Sequence, residues 1–170
     1  EELLKRAPQG KYLLLGGDPA DWNAQIINKA HNDALRDAVT ARRIEIVGEK
    51  YCDKWGRADA TRYTEDTITM HPDLTAIVGA NDGIAGGAIA ALTSKRLQGK
   101  VLVSGQDADL DACRNIASGN QTATVYKPIA QLAKAAVTVA IILGRGDSME
   151  AIKSQIPHSN VTEVPFDLTE

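Results

Sequence analysis

Five short apolar runs, each cut off by glycine or a polar turn and followed by a helix-period segment, constrain this chain most. They are "KYLLLGG" (11–17), "IEIVGEKY" (44–51), "TAIVGAN" (75–81), "KVLVSG" (100–105) and "TATVY" (122–126). Between the first two, residues 21–43 carry Ile27, Ala30, Ala34 and Ala38 along one helical stripe. Residues 56–71 form a second helical pattern that Pro72 stops, and the small-residue stretch "DGIAGGAIAALTSK" a third. A further helix starts near Asp109. The last begins at Pro128, and its Ile129, Leu132, Ala133, Ala136, Val137, Ala140 and Ile141 at 3-and-4 spacing predict a strongly buried face.

Strands that are apolar on both faces and alternate with helices predict a parallel sheet covered on both sides. With right-handed crossovers this is an α/β fold, a doubly wound five-stranded sheet with helices on both faces. The 170 residues suffice for one such unit with a hydrophobic core. It is expected to span residues 1–144. Residues 145–170 are less regular, with a short extended segment near Val161–Val164, and are expected to lead toward something outside the chain. The opening "EELLKRA" reads as part of an amphipathic helix, so residues upstream are expected to be missing; it does not read as a signal peptide.

Several function classes find no support. A net charge of −3 gives no footprint for nucleic acid or an anionic membrane. No apolar run approaches the roughly 20 residues that span a bilayer. Cys52 and Cys113 form no metal pattern, and either one disulfide or two inert buried thiols would fit them. His31, His71 and His158 are isolated, and no nucleophile elbow, P-loop or dinucleotide fingerprint is present. "DADLD" (107–111) imitates a calcium loop but has Ala112 at the glycine position and Ser118 at the final carboxylate position. "RGD" at 145 and the Asn-x-Thr triplets at 120 and 160 are short enough to arise by chance. Neither an enzyme nor a cofactor is expected; binding is the better reading.

The strand ends say what is bound. In a doubly wound sheet the carboxyl ends of the strands share one edge, and ligands occupy the crevice there. Asp18 to Asn23, Tyr51 to Trp55, Asn81–Asp82, Gln106–Asp107 and Tyr126–Lys127 all fall at that edge. A sugar presents hydroxyls around its rim and C–H groups on its faces. Asp, Asn and Lys serve the hydroxyls, and an indole covers a face. Aromatic residues make up only 4% of the chain, so Trp55 stands out as the platform, with Asn23, Asn81, Asp107 and Lys127 as rim contacts. Each also has a structural reading: Asn81, Asp82 and Asp109 as helix caps or first-turn residues, Lys127 as a solvated strand end, Trp22 as packing.

"LLLGGDPADWNAQ", "VGANDGIAGGAIAAL" and "KVLVSGQDADLDACRNIASGNQTATVYKP" resemble the periplasmic sugar-binding proteins of ABC transporters, of type I fold, with xylose-binding members nearest. The resemblance runs along nearly the whole chain. It implies the C-terminal lobe of a two-lobed, hinged protein, with contacts at Asn23, Trp55, Asn81, Asp107 and Lys127 to a monosaccharide, xylose or a similar aldose. It also implies an N-terminal lobe that this chain lacks, a membrane ABC permease as partner, and a periplasmic or extracellular location, at the cell surface if the protein is lipid-anchored. Trp22, Cys52 and Cys113 depart from the family's pattern. With the other lobe's contacts absent, weak or no affinity is expected from this chain alone. The same lobe could also serve a sugar-sensing receptor or form the effector-binding core of a sugar-responsive repressor; an enzyme of flavodoxin-like fold stands last.

Overall fold

Alternation along one strand organises both cores. In a computed structural model, which describes residues 1–146, strand β1 spans Gly10–Gly16. Its Tyr12, Leu13, Leu14 and Leu15 are all fully buried. Side chains alternate across a strand, so Leu13 and Leu15 enter one core while Tyr12 and Leu14 enter the other. Each of these leucines contributes about 1.5–3 kcal/mol by leaving water. The Tyr12 hydroxyl is satisfied by donating to the Ala7 carbonyl at 2.7 Å.

The remaining strands are β2 (Ile44–Tyr51), β3 (Leu74–Gly79), β4 (Leu102–Asp107) and β5 (Ala123–Tyr126). All neighbours pair in parallel, in the order β2-β1-β3-β4-β5. The chain leaves β1 toward one edge and, after β2, returns past it toward the other. The topological switch therefore lies between β1 and β3, where the following loops diverge and open a crevice.

Helices α1 (Glu2–Arg6) and α2 (Trp22–Thr40) supply residues to the Tyr12/Leu14 core. The Leu13/Leu15 core takes its residues from α3 (Arg57–Met70) and α4 (Asp82–Ser94). Helix α5 (Leu110–Ala117) links β4 to β5. The α3–α4 contact is close because α4 carries glycines: a Cβ at Gly87 would lie 2.3 Å from the Arg57 carbonyl oxygen and 2.9 Å from Ala60 Cβ.

Two expected helix faces differ from the observed ones. In α2 the buried residues are Ala24, Asn28, Leu35 and Ala38, whereas Ala30 and Ala34 are exposed. The face includes a polar residue because Asn28 Nδ2 donates to Glu49 Oε1 at 2.5 Å and to the Tyr51 hydroxyl at 2.8 Å, both on β2. The last helix, α6 (Ile129–Gly144), belongs to a second compact unit that begins at Pro128; the first comprises Glu1–Lys127. Ile129, Leu132, Val137 and Ile141 on its expected buried face are exposed, and its buried residue is Ile142. Periodicity reports that a helix has an apolar face, and does not report what covers it. The segment Val161–Val164 lies outside the described residues.

The cysteines are both free, so the disulfide alternative falls. The alternative of two buried thiols holds for Cys52 alone, because Cys113 is exposed. Burial, with Asp59 nearby, pushes the Cys52 thiol up to about 11. A maleimide at pH 8 is therefore expected to label one thiol per native chain quickly, at Cys113, and both only in denaturant. Fast labelling of both thiols in the native protein would contradict this packing.

Candidate functional site

The loop after β2 places an indole at the strand-end edge by an unusual backbone. Asp53–Trp55 form one 3₁₀ turn in which Lys54 and Trp55 have φ of 48° and 58°. Non-glycine residues in this left-handed region cost of order 1–3 kcal/mol each unless the surroundings hold them. Here two carboxylates hold them. Asp18 Oδ2 accepts from the Lys54 N–H at 2.7 Å, and Asp59 Oδ2 accepts from the Asp53 N–H at 3.0 Å.

The ring itself is gripped on two sides. Trp55 Nε1 donates to Asp21 Oδ2 at 3.1 Å. A Cβ at Gly17 would lie 2.4–2.5 Å from three carbons of the six-membered ring, so the indole rests against a residue that must lack a side chain. Asp21 also caps α2, its Oδ1 accepting from the Asn23 N–H at 2.8 Å. One carboxylate thus fixes both the platform and the helix turn that carries Asn23.

On the other side of the switch point, Asn81 caps α4 through Oδ1, which accepts from the Ile84 N–H at 2.9 Å. Its amide Nδ2 remains as a donor. Asn81 therefore fills the structural role considered for it and also faces the crevice. Strand β4 runs two residues past Gly105, because Gln106 and Asp107 still pair with Val125 and Tyr126. The polar cluster is thus the strand's own end. Asp107 has φ 116°, and its Oδ1 lies 2.5 Å from Lys127 Nζ just beyond β5. Among the described residues that oxygen has no other polar partner.

These groups converge. A cleft of about 440 Å³ is lined by Asp21, Asn23, Ile27, Trp55, Asn81, Gln106, Asp107 and Lys127. That lies within the roughly 300–1,000 Å³ usual for small-molecule sites. All five residues selected by sequence reasoning line it: Asn23, Trp55, Asn81, Asp107 and Lys127. Trp22 does not; it stands 71% exposed at the start of α2. Asp109 occupies the cap position of α5 without a side-chain cap bond, and the Asp82 side chain bonds to the Asp109 N–H, Gln121 and Thr124 instead of to its own helix. Among the described residues no group of three His, Cys, Asp or Glu side chains is placed to hold a metal ion.

The arrangement offers amide donors and acceptors, one ammonium, one aromatic face and two carboxylates, of which Asp21 is already engaged by Trp55 and the Asn23 N–H and Asp107 is the one paired with Lys127. It is suited to a neutral ligand rich in hydroxyls with an apolar face. A charged ligand would have to disrupt the Asp107–Lys127 pair.

A family model described as a periplasmic binding protein domain matches residues 1–148. The chain belongs to that family. The D-xylose-binding periplasmic protein of Haemophilus influenzae is 42% identical over 145 residues, covering 85% of this chain and 44% of that relative. Its counterpart in Escherichia coli is 42% identical over 150 residues, 88% of this chain and 46% of the relative. A solved ABC transporter periplasmic solute binding protein from Actinobacillus succinogenes, with bound D-allose, superposes with a TM-score of 0.76 at 26% identity, over 87% of this chain and 52% of that one. This periplasmic binding protein chain spans about half the length of the curated relatives it matches.

Sequence reasoning places Asp18, Asp21 and Gln106 at the strand-end edge but selects none of them as a contact or brace, and it assigns Ile27, which also lines the cleft, to the buried stripe of α2. Asp21 carried a usable signal: an Asp two residues before Asn23 at a helix start is a cap, and a cap at a strand-end edge stands beside the crevice. For Asp18 only its place at that edge is legible; its bond to the Lys54 N–H, 36 residues away, is not.

Proposed function

We propose that this chain is one lobe of the substrate-binding component of an ABC sugar importer, taking xylose or a similar aldose into the cleft between two lobes. The observation that carries this is the braced Trp55 indole facing the same cleft as Asn23, Asn81, Asp107 and Lys127. A pyranose laid on the indole would bury its C–H face, and the amides, carboxylate and ammonium would take its hydroxyls. The names of the relatives support the same ligand class.

In this reading residues 1–144 form the lobe, and 145–170 lead toward the hinge or the partner lobe. The second lobe supplies the remaining contacts, and closure around sugar is the form a membrane permease recognises. The protein works in the periplasm or at the outer cell surface. Calorimetry of the complete two-lobe protein tests the reading. Saturable one-to-one binding of D-xylose or a close aldose is expected, with little or no heat from this chain alone. No heat with any monosaccharide would overturn it.

A further inference from the structure

Asp82 is the carboxylate that the binding role leaves unexplained. It is the first residue of α4, only 6% exposed, and it is absent from the wall of the sugar cleft. Its oxygens reach instead toward β4 and β5. Oδ2 accepts from the Asp109 N–H at 2.9 Å, and Oδ1 accepts from Gln121 Nε2 at 3.0 Å. The Thr124 hydroxyl donates to the carboxylate, 2.8 and 2.9 Å from its two oxygens. Thr124 Oγ1 in turn accepts from the Ala108 N–H at 3.1 Å.

The two amides that follow Asp107 are therefore both held by this carboxylate, one directly and one through Thr124. They are the amides that need holding. Asp107 and Ala108 are consecutive non-glycine residues with φ of 116° and 58°, a strained geometry that persists only where neighbours enforce it. The same bonds tie down β5, whose end carries Lys127. Room for the carboxylate comes from Gly105, where a Cβ would lie 2.2 Å from Asp82 Oδ1.

We propose that Asp82 is the positioning residue for the Asp107–Lys127 side of the sugar cleft, acting through the Ala108 and Asp109 amides and Thr124. It sets the direction of the Asp107 carboxylate without touching ligand. The affinity consequence rests on the sugar-binding reading above; the backbone consequence does not.

Asp82→Asn in the complete two-lobe protein tests both. Asparagine keeps the shape but removes the charge that strengthens all of these bonds and turns one acceptor into a donor, which opposes the Asp109 N–H or obliges Gln121 to reverse its amide and give up its bond to the Ala123 carbonyl. Without sugar, amide exchange at Ala108 and Asp109 is expected to quicken about tenfold or more, while the Ile84 amide, held by Asn81, stays within about twofold. Equal acceleration at all three, or none, would overturn the proposal. With D-xylose, Asp82→Asn is expected to weaken binding about tenfold in the natural background but by no more than about twofold beside Asp107→Asn. The same loss in both backgrounds would show that Asp82 does not act through Asp107. If Asp82→Asn does not fold, Thr124→Val, which removes the relay, is expected to give the same exchange pattern at Ala108. If the unmutated protein binds no sugar, the sugar-binding reading fails, and the exchange pattern alone decides the role of Asp82.

Discussion

Asp107→Asn in the complete two-lobe protein is expected to lower aldose affinity by about 100-fold or more while leaving the unfolding midpoint within a few degrees. The charge does two things in the cleft. It accepts hydroxyl donors, each such charged bond contributing about 1.5–3 kcal/mol. It also neutralises Lys127 Nζ at 2.5 Å, and with both side chains part-buried, at 29% and 40% exposed, solvent screens that pair only in part. Asparagine tolerates the positive φ at this position nearly as well as aspartate, so the backbone cost is small. A loss of about 2.7 kcal/mol corresponds to 100-fold. Calorimetry with D-xylose reads the effect, and an affinity within about threefold of the unmutated protein would remove Asp107 from the site.

Gly87→Val is expected to destabilise the fold by about 3 kcal/mol or more, the largest stability effect of any glycine in α4. A Cβ there meets a backbone carbonyl oxygen, that of Arg57, at 2.3 Å, and backbone cannot swing aside as a side chain can. Helices α3 and α4 must move apart, opening the packing of Ala60 and Ala88 beneath them. Gly83→Ala supplies the control on the same helix. Its added Cβ would lie 3.5 Å or more from Asn81 side-chain atoms alone, an ordinary contact. That variant is expected to be neutral or to gain up to about 1 kcal/mol from helix propensity. Urea unfolding of both separates close packing from propensity; similar midpoints would contradict the α3–α4 contact.

Sequence reasoning succeeded where one local rule decided the outcome. Leu13–Leu15 and Ile77–Val78 are apolar on both faces, as a strand covered on both sides must be, and the alternation of such runs with helices points to a parallel sheet and its strand-end edge. Trp55 was legible because aromatic residues are scarce and this one sits at a strand end. It failed where a polar residue is buried by a distant partner. Asn28 looks like a surface residue until Glu49 and Tyr51 are beside it, so apolar periodicity alone predicts a stripe through Ala30 and Ala34 instead. Asp82 likewise looks like a first-turn residue, since Thr124 and Gln121 are 42 and 39 residues away. For α6 the 3-and-4 pattern predicts an apolar face but specifies no partner, and Ile129, Leu132, Val137 and Ile141 stand exposed.

A crystal structure of the complete two-lobe protein grown with D-xylose tests the central claim most directly. The account predicts one sugar in the β1/β3 crevice, its ring stacked on Trp55 and its hydroxyls within hydrogen-bond distance of Asn23, Asn81, Asp107 and Lys127. Sugar bound elsewhere on the lobe, with the Trp55 face and the Asp107–Lys127 pair untouched, would contradict it.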